Sequence, residues 1–310
     1  MTLPAMPVVT VEVPPRRTPR GLSPVSTIAS MPPVPPATAH PRPAVTALDS
    51  SARVRLLDPG ALWRYRELIG FLALRDIQVR YKQTLLGAAW AVIQPLALMT
   101  AVVLFRRLLG RGGGDNAVAM FAAVLPWTFF AAGVTAATNS VVSNAAMVRK
   151  VYFPRLIMPL ASLGAPLLDT LLCYGVLGLM MILFGAAFGA GLLLLPLLAI
   201  SALLAVLGIG ILLAALTVAY RDFRHVIGLL LQLWFFATPV LYALSEVPLP
   251  YRWYLYLNPI GGTVDAFRAV VAGQPVAMAA WAASAAVSLL CLLVGLAYFA
   301  RAEKRFADVI

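Results

Sequence analysis

Charged side chains are scarce in this sequence, and acidic ones are the scarcest. Only 12% of the 310 residues are charged, and 24 basic residues against 12 acidic ones leave a formal charge of +12 at pH 7. Soluble domains carry about twice that share of charge, whereas 61% of this chain is hydrophobic. The composition excludes a water-soluble globule. The basic excess is explained by cytoplasmic flanks of membrane spans, so no nucleic-acid partner is expected.

Residues that bind metals or perform catalysis are equally few. The two cysteines lie in apolar runs and the two histidines fall in unrelated settings, so the sequence predicts no metal site. The run Gly112-Gly113-Gly114 is followed by Asp115 instead of Gly-Lys-Ser, so this chain lacks a phosphate-binding loop for ATP. A Gly-x-Ser-x-Gly nucleophile turn is also missing. We therefore expect no catalytic residue here.

Residues 1–53 are rich in proline and hold 12 of the 24 prolines. Such a segment buries too little apolar surface to offset its chain entropy, so we expect a disordered cytoplasmic tail. The composition then divides the chain into a membrane-surface segment over residues 54–84, a transmembrane domain over 85–300 and a cytoplasmic C-terminal tail over 301–310.

A short amphipathic helix is predicted within the membrane-surface segment. Asp58 has the position of an N-cap, and Pro59 that of the first helical residue. Apolar side chains then share one helix face at a spacing of 3.6 residues, namely Leu62, Tyr65, Leu68, Ile69 and Leu72. The opposite face carries Arg64, Glu67 and Gly70. Residues 62–73 are too few to span a bilayer, so this helix should lie in the cytoplasmic interface.

Six apolar segments approach the length of roughly 20 residues that a helix needs to cross a bilayer. They cover residues 85–105, 117–142, 157–184, 192–218, 226–244 and 276–300. The sequence therefore predicts an all-α integral membrane fold with six transmembrane helices.

The distribution of basic residues predicts the orientation of these helices. Fifteen basic residues flank one side, including Arg75, Arg80 and Lys82 just before the first segment, and five flank the other. Cytoplasmic flanks hold the excess of Lys and Arg, so both termini are predicted to be cytoplasmic in a multi-pass protein of the cell (inner) membrane. The arginines at 106–111 run against this rule.

The connection between the fifth and sixth segments, residues 245–274, is too polar to span and too apolar for an ordinary solvated loop. We predict two short helices that dip into the outer leaflet, separated by Asn258-Pro259-Ile260-Gly261-Gly262. The alternative is an ordered loop that carries an interfacial belt of aromatic residues.

Asp169 is the only acidic residue well inside a predicted span. A carboxylate in a membrane is costly and is often functional. Because the sequence shows no basic partner for it within a span, we predict a structural role for Asp169 instead of ion coupling.

Two inner loops, residues 143–155 and 219–225, combine arginines with aromatic residues. Charge that only sets the topology would not need aromatics, so these loops are candidate docking elements for a cytoplasmic partner. The apolar anchors would be Tyr152, Phe153, Tyr220 and Phe223.

Five motifs, in this order, resemble those of type-2 ABC exporter permeases, and most closely the branch that exports O-antigen, capsular polysaccharide and teichoic acid. The first starts at Arg75 and reads R-D-I-Q-V-R-Y-K-Q-T-L-L-G-A-A-W-A-V-I-Q-P-L. The later ones are M-V-R-K-V-Y-F-P-R, A-Y-R-D-F-R-H, F-F-A-T-P-V-L-Y and Y-L-N-P-I-G-G-T-V-D-A-F-R. The resemblance extends from residue 62 to the C-terminus.

The resemblance implies a half-transporter. Two copies would form a channel for a lipid-linked glycan, and two separate ATPase subunits would bind ATP and Mg²⁺, which leaves this chain without a cofactor. The hairpin over residues 251–273 would form part of the outer exit. The two inner loops would couple to the ATPase through Arg149, Lys150, Tyr152, Phe153, Arg155, Tyr220, Arg221, Asp222, Phe223 and Arg224.

The resemblance also implies roles along the transport path. Arg75, Arg80 and Lys82 would stand at the inner gate near the lipid headgroup, although setting the topology is the alternative role. Aromatic channel-lining candidates, for which helix packing is the alternative, are Trp127, Phe129, Phe130, Trp234, Phe235 and Phe236. Outer-hairpin candidates are Tyr254, Asn258, Pro259, Phe267 and Arg268.

We therefore expect the transmembrane subunit of an ATP-driven exporter of lipid-linked polysaccharide, of the O-antigen, capsule, galactan or teichoic-acid type. The alternative within the same class is a type-2 exporter of drugs or lipids. From another class, the alternatives are an ATP-independent carrier and a membrane glycosyltransferase.

Overall fold

The computed structural model describes residues 59–82, 87–110, 116–151, 153–186, 189–220 and 222–303. Within these ranges the chain is helical and contains no strand, which confirms the predicted all-α class. The Pro-rich segment 1–53, Asp58, Tyr152, Arg221 and residues 304–310 lie outside the described residues. The helices are α1 (Pro59–Arg64), α2 (Arg66–Tyr81), α3 (Ala89–Leu108), α4 (Ala117–Ser143), α5 (Ala145–Lys150), α6 (Ile157–Ser162), α7 (Gly164–Leu183), α8 (Leu195–Ala219), α9 (Phe223–Ala237), α10 (Trp253–Leu257), α11 (Gly261–Val271) and α12 (Met278–Ala302).

Five helical stretches in the described residues are long and apolar enough to cross a membrane. They are Ala89–Leu108, Ala117–Ser143, Ile157–Leu183, Ala190–Ala219 and Met278–Ala302, and they correspond to five of the six predicted segments.

The predicted fifth segment, residues 226–244, forms a shorter helix than expected. It is α9, Phe223–Ala237, with 15 residues, or about 22 Å at 1.5 Å per residue. The helix ends at Thr238, which is extended (φ −103°, ψ 141°) because the following Pro239 disfavours a helical conformation at the residue before it. The prediction that this helix continues to residue 244 is therefore wrong, because the helix ends at Ala237.

Helix α4 lies at the centre of the membrane domain. Eighteen of its 27 residues are buried, and it contacts α3, α7, α8, α9 and α11. Phe130, Val134, Val206 and Val264 belong to one core cluster that joins α4, α8 and α11. The helix starts at Asn116, whose side chain accepts a hydrogen bond from the backbone N–H of Val118 at 2.9 Å, a standard N-cap. Most of α4 is enclosed, and its less buried face includes Thr135, Asn139 and Ser143.

Glycines allow α8 and α12 to pack closely. A Cβ atom on Gly208 would lie 2.7 Å from the backbone N of Leu292, and one on Gly295 would lie 2.8 Å from the backbone O of Gly208. Small residues at such crossings are typical of membrane helices, which associate through close backbone contact.

The amphipathic helix has the predicted faces but a different length. Leu62, Tyr65, Leu68 and Ile69 pack against a buried cluster that contains Leu72, whereas Arg64, Glu67 and Gly70 are exposed. The helix is interrupted at Tyr65, and α2 then continues to Tyr81. Arg75 and Arg80 therefore belong to α2, which precedes the first span.

The connection after α9 contains the two short helices that the sequence predicts. Helices α10 and α11 are separated by residues 258–260, in agreement with the predicted Asn-Pro break. Ten of the 11 residues of α11 are buried, and this helix contacts α4, α8 and α12. Helix α11 is thus part of the protein core, and the exposed aromatic residues of the connection, Tyr251 and Trp253, precede it.

Candidate functional site

An ion pair joins α2 to the membrane domain. The Arg80 guanidinium lies 2.8 Å from the Asp169 carboxylate on α7, and the Tyr81 hydroxyl donates a hydrogen bond to the same carboxylate. The sequence shows no basic partner for Asp169 within a span, and the structure supplies one from another part of the chain. Its partner Arg80 lies on α2, outside the spans. A search for basic residues within the spans therefore could not find it.

A second set of polar contacts fixes the preceding turn of α2. Arg75 Nη2 donates to Asp76 Oδ1 at 2.8 Å and to Asn144 Oδ1 at 2.8 Å. Asn144 directly follows α4, and its Nδ2 donates to the carbonyl of Ser140 at 2.8 Å. Arg75 thus binds the C-terminal end of α4, and Arg80 binds the middle of the third span.

These contacts border a cavity that we call the polar groove. Its wider part has a volume of about 540 Å³, and a narrower part of about 70 Å³ continues beyond Arg80 and Pro166, which line both parts. The wider part is also lined by Arg75, Asp76, Val79, Ala136, Asn139, Ser140, Ser143, Asn144, Ser162 and Ala165. The narrower part is also lined by Ala91, Gln94, Pro95, Thr128, Phe129, Ala132, Asp169, Thr170 and Cys173.

The sequence interpretation overlooked the α4 side of this groove. Asn139, near the end of the second apolar segment, and Ser143, directly after that segment, are four residues apart. Such a repeat places side chains on one helix face, which is the signal that would have identified the groove from the sequence.

The first inner loop is anchored to its own chain through residues that were predicted to meet a partner. Phe153 is only 4% exposed and belongs to the cluster that holds Leu72 and Phe299. The backbone N–H of Arg155 donates to the Glu303 carboxylate at 2.8 Å, and its guanidinium donates to the Glu303 carbonyl. Phe153 is therefore not part of the exposed surface of this loop.

Other predicted coupling residues do lie on the surface. Arg149 and Lys150 of α5 are exposed, as are Tyr220, Asp222 and Arg224 around the start of α9. Phe223 is half-buried, with its ring centroid 6.3 Å from that of Tyr220. Among the described residues, the exposed surface of the two loops is thus basic and aromatic, with Tyr220 of the second loop as its exposed aromatic residue. Lys82, at the end of α2, is also exposed.

Five of the six predicted channel-lining aromatics form one cluster between α4 and α9. Ring centroids lie 5.5 Å apart for Trp127 and Phe235, 5.2 Å for Phe130 and Trp234, and 5.6 Å for Phe235 and Phe236. Phe130 is fully buried, whereas Phe236 is 64% exposed. An apolar cavity of about 480 Å³ is lined by Leu98, Trp127, Ala131, Leu231, Gln232, Phe235 and Phe236. Phe129 instead borders the narrow part of the polar groove.

Asn258 connects this aromatic cluster to the outer hairpin. Its Oδ1 accepts hydrogen bonds from Trp234 Nε1 and from the backbone N–H of Ile260, both at 3.1 Å. Its Nδ2 donates to Thr238 Oγ1 at 3.0 Å and to the Ala237 carbonyl at 3.3 Å. Non-helical backbone at membrane depth needs such partners, so Asn258 stabilises both the end of α9 and the start of α11.

Serines of α12 hold the other side of the Asn-Pro break. Ser284 Oγ donates to the Asn258 carbonyl at 2.7 Å, and Ser288 Oγ donates to the Pro259 carbonyl at 2.8 Å. Two other predicted hairpin residues also pack inside the protein. Tyr254 shares a hydroxyl hydrogen bond of 3.0 Å with Tyr242, and Phe267 stacks on Tyr174 with centroids 6.1 Å apart.

Two buried arginines organise the chain between α9 and α10. The Arg268 guanidinium donates to the carbonyls of Pro239, Val240 and Tyr242 at 2.6–2.8 Å. Arg106, at the end of α3, donates to the Leu241 carbonyl at 3.0 Å and to the Glu246 carboxylate at 3.0 and 3.3 Å. Arg106 is one of the arginines that run against the orientation rule. It is buried in the protein and paired with Glu246. No local sequence pattern predicts this pair.

The Arg106 contact also affects the acidity of Glu246. Burial raises the pKa of this carboxyl, but the hydrogen bond and positive charge of Arg106 outweigh burial, so that the pKa of Glu246 lies below its ordinary value. Glu246 is therefore ionised at neutral pH. Within the described ranges, no three His, Cys, Asp or Glu side chains come together as a candidate metal site.

Comparison with known proteins identifies the family. Residues 67–272 match the family model described as ABC-2 type transporter. The chain is 31% identical over 258 residues to the O-antigen export system permease protein RfbA of Myxococcus xanthus, covering 80% of this chain and 97% of that protein. It is 26% identical over 251 residues to a protein of the same name from Klebsiella pneumoniae, covering 79% of this chain and 95% of that protein. The chain therefore belongs to the ABC-2 type transporter family, as a transport component rather than a catalytic one.

Proposed function

We propose that this chain is the transmembrane subunit of an ATP-driven exporter that moves lipid-linked polysaccharide of the O-antigen type across the cytoplasmic membrane. The observation that carries this proposal is the similarity to permeases named for O-antigen export, which covers 97% of the relative from Myxococcus xanthus. The five helices long enough to cross a membrane suit a transport subunit.

The active assembly contains two copies of this chain and two ATPase subunits. ATP and Mg²⁺ are bound by the ATPase, since this chain lacks a phosphate-binding loop. The ATPase contacts the exposed basic and aromatic surface of the inner loops, in which Arg149, Lys150, Tyr220 and Arg224 are exposed. Phe153 and Arg155 support this surface from behind, through their contacts within the chain.

Both termini lie on the cytoplasmic side, and α9 completes a sixth crossing together with the turns that follow it. Supporting this arrangement, the buried arginines Arg106 and Arg268 supply hydrogen bonds to the irregular backbone after α9, as membrane-embedded backbone requires. Arg106 does not count against the orientation, because it is paired within the protein.

Cargo passes between the inner gate and the outer hairpin. Arg75 and Arg80 form a wall of the inner gate, and Lys82 faces the lipid headgroups. Phe235 and Phe236 offer ring surface to the cargo, supported by the buried rings of Trp127 and Phe130 and by the half-buried ring of Trp234. The hairpin residues from Tyr254 to Arg268 form the outer exit.

Deletion and reconstitution test the proposal. Deleting the chain from its host should remove surface polysaccharide and leave lipid-linked glycan inside, and the wild-type chain should restore export. The purified chain should co-purify with an ATPase, and a hydrolysis-dead ATPase should block export. Export that persists in the deletion strain or after ATP depletion would refute the proposal, whereas loss of drug resistance with normal polysaccharide would favour the drug exporter.

A further inference from the structure

The polar groove is lined by polar side chains that are costly to expose to the hydrocarbon core of a bilayer. Thr128, Asn139 and Ser143 of α4 face it together with Gln94 of α3 and Thr170 of α7. From Ser143 to Thr128 the helix rises about 22 Å at 1.5 Å per residue, so the groove follows α4 far into the bilayer, whose core is about 30 Å thick. Polar groups at this depth normally face a water-filled cavity or one another. The groove is therefore a wet path or a binding site.

Asn139, which lines the wider part of this groove, carries an acceptor that no described residue uses. Its Nδ2 donates to the carbonyl of Thr135 at 2.9 Å, which fixes the orientation of the amide. Its Oδ1 is buried and has no hydrogen-bond partner among the described residues. A buried acceptor without a donor is costly, so a hydroxyl or a water molecule is needed at this point.

The charges of the groove indicate which ligand it accepts. Its charged lining residues, within the part of the chain that the structure describes, are Arg75, Arg80, Asp76 and Asp169, and they sum to zero. Each arginine already contacts a carboxylate at 2.8 Å. A phosphate would therefore find no uncompensated positive charge, and it would lie beside two carboxylates. A neutral ligand with many hydroxyl groups avoids this repulsion.

We propose that the polar groove binds neutral, hydroxyl-rich sugar units of the exported glycan, an inference that rests on the proposed function. Sugar hydroxyls both donate and accept hydrogen bonds. The groove offers acceptors on Asp76, Asn139 and Asn144, and donors on Arg75 and Arg80. This site lies between α2, α4 and α7 of one chain and is separate from the aromatic cluster beside α9.

The volumes of the two parts locate the sugar. The wider part, about 540 Å³, falls within the range of roughly 300–1,000 Å³ that is typical of small-molecule sites. The narrower part, about 70 Å³, has room only for a few water molecules. The sugar therefore occupies the wider part, and the Arg80–Asp169 pair forms its floor.

Photo-crosslinking in living cells tests the proposal directly. A photo-crosslinking amino acid replaces Ser143, which is exposed and lines the wider part. The same amino acid at Phe236 probes the aromatic cavity, and at Leu233, which is exposed on α9, it serves as the control. The captured material is detected by glycan staining of the purified chain. We expect the Ser143 probe to capture glycan and the Leu233 probe to capture none.

A second crosslinking experiment tests whether the groove recognises the sugar or the phosphate of the lipid carrier. In cells blocked in glycan synthesis, the lipid carrier is present without sugars, and the Ser143 probe should then capture no carrier lipid. Capture of the sugar-free lipid at the same level would show that the groove recognises the headgroup phosphate and would overturn the proposal. Capture of glycan at Phe236 but not at Ser143, with export intact, would overturn it as well.

A substitution adds a functional readout. Asn139→Leu removes the unused acceptor at similar volume, and Thr100→Val removes a hydroxyl on α3 that is exposed and bonded to its own helix. Asn139→Leu should lower the export rate about five- to tenfold, the effect of one hydrogen bond, with unchanged membrane abundance and unchanged binding of the ATPase. Thr100→Val should export normally. Equal export by both variants would contradict the inference, whereas failure of the proposed function would appear as normal export in the deletion strain.

Discussion

Removing Arg80 should destabilise the protein more than removing Asp169, although the two side chains form one ion pair. Arg80→Met leaves a carboxylate that is 15% exposed within a membrane span, with the Tyr81 hydroxyl still donating to it. Asp169→Asn leaves an arginine that is 43% exposed, and its long side chain can extend to interfacial water. The asymmetry follows from the different burial of the two charges.

The geometry sets the magnitude. At 2.8 Å, two unit charges attract by about 6 kcal/mol at an effective dielectric constant of 20 and by about 1.5 kcal/mol in water. Desolvation of both charges offsets much of this attraction, and the partial exposure of Arg80 reduces it further. We therefore expect a loss of about 2–3 kcal/mol for Arg80→Met and about 1 kcal/mol for both Asp169→Asn and the double variant, which corresponds to a coupling free energy of about 2–3 kcal/mol.

A double-mutant cycle measures these values. The wild type, the two single variants and the double variant are purified, and their free energies of unfolding are measured by SDS titration in mixed detergent micelles. Arg66→Met provides a matched control, because Arg66 is on the same helix and pairs with Glu67 at 3.9 Å on the exposed surface. Such a pair contributes about 0–1 kcal/mol at most.

The expected pattern is a double variant about as stable as Asp169→Asn, since no buried charge is left alone. Two outcomes would refute the reasoning. Additive losses would show that the two charges do not interact across α2 and α7. A larger loss for Asp169→Asn than for Arg80→Met would show that the carboxylate has a role beyond this pair.

Three further perturbations probe the region from Glu246 to Gly262. Gly262→Ala should cost about 1–3 kcal/mol of unfolding free energy, because its Cβ would lie 2.3 Å from a backbone carbonyl of α12, whereas Gly228→Ala, with open space around it, should leave the melting temperature unchanged. Because the pKa of Glu246 is lowered in the folded protein, its contribution to stability is present above the unfolded pKa of about 4.3 and is lost as pH falls through the lower folded value. Melting curves recorded from pH 7 to pH 3 should therefore show an acid-induced loss of stability that is smaller in Glu246→Gln, and equal acid sensitivity of both proteins would argue against the contact with Arg106. Asn258→Leu removes four hydrogen bonds and should increase protease cleavage of the hairpin, and unaltered cleavage would contradict its role there.

Local patterns predicted the helices well, because they depend on spacing and composition along the chain. The apolar stripe from Leu62 to Leu72 gave the correct buried face of the amphipathic helix. The Asn258-Pro259 break correctly divided the hairpin into two helices. The end of α9 was misplaced because residues 238–244 are apolar enough to continue a span, while Thr238-Pro239 ends the helix.

Partners far apart in the sequence escaped prediction, because only folding brings them together. Asp169 and Arg80 are separated by 89 positions, and Arg106 and Glu246 by 140. For the same reason Phe153 was interpreted as a surface anchor, although the packing of α2, α4 and α12 encloses it. Whether an aromatic residue faces a partner or its own core is decided by the neighbouring helices.

By itself, the sequence determined that this protein is an all-α membrane protein and, through its ordered motifs, which family it belongs to. Hydrocarbon imposes composition and segment length directly on the chain, so both can be read without coordinates. Tertiary structure alone decided which charges neutralise each other, which aromatics are enclosed, and that α2, α4 and α7 enclose a polar groove with no net charge. These features depend on distances between helices, and no spacing along one helix encodes them.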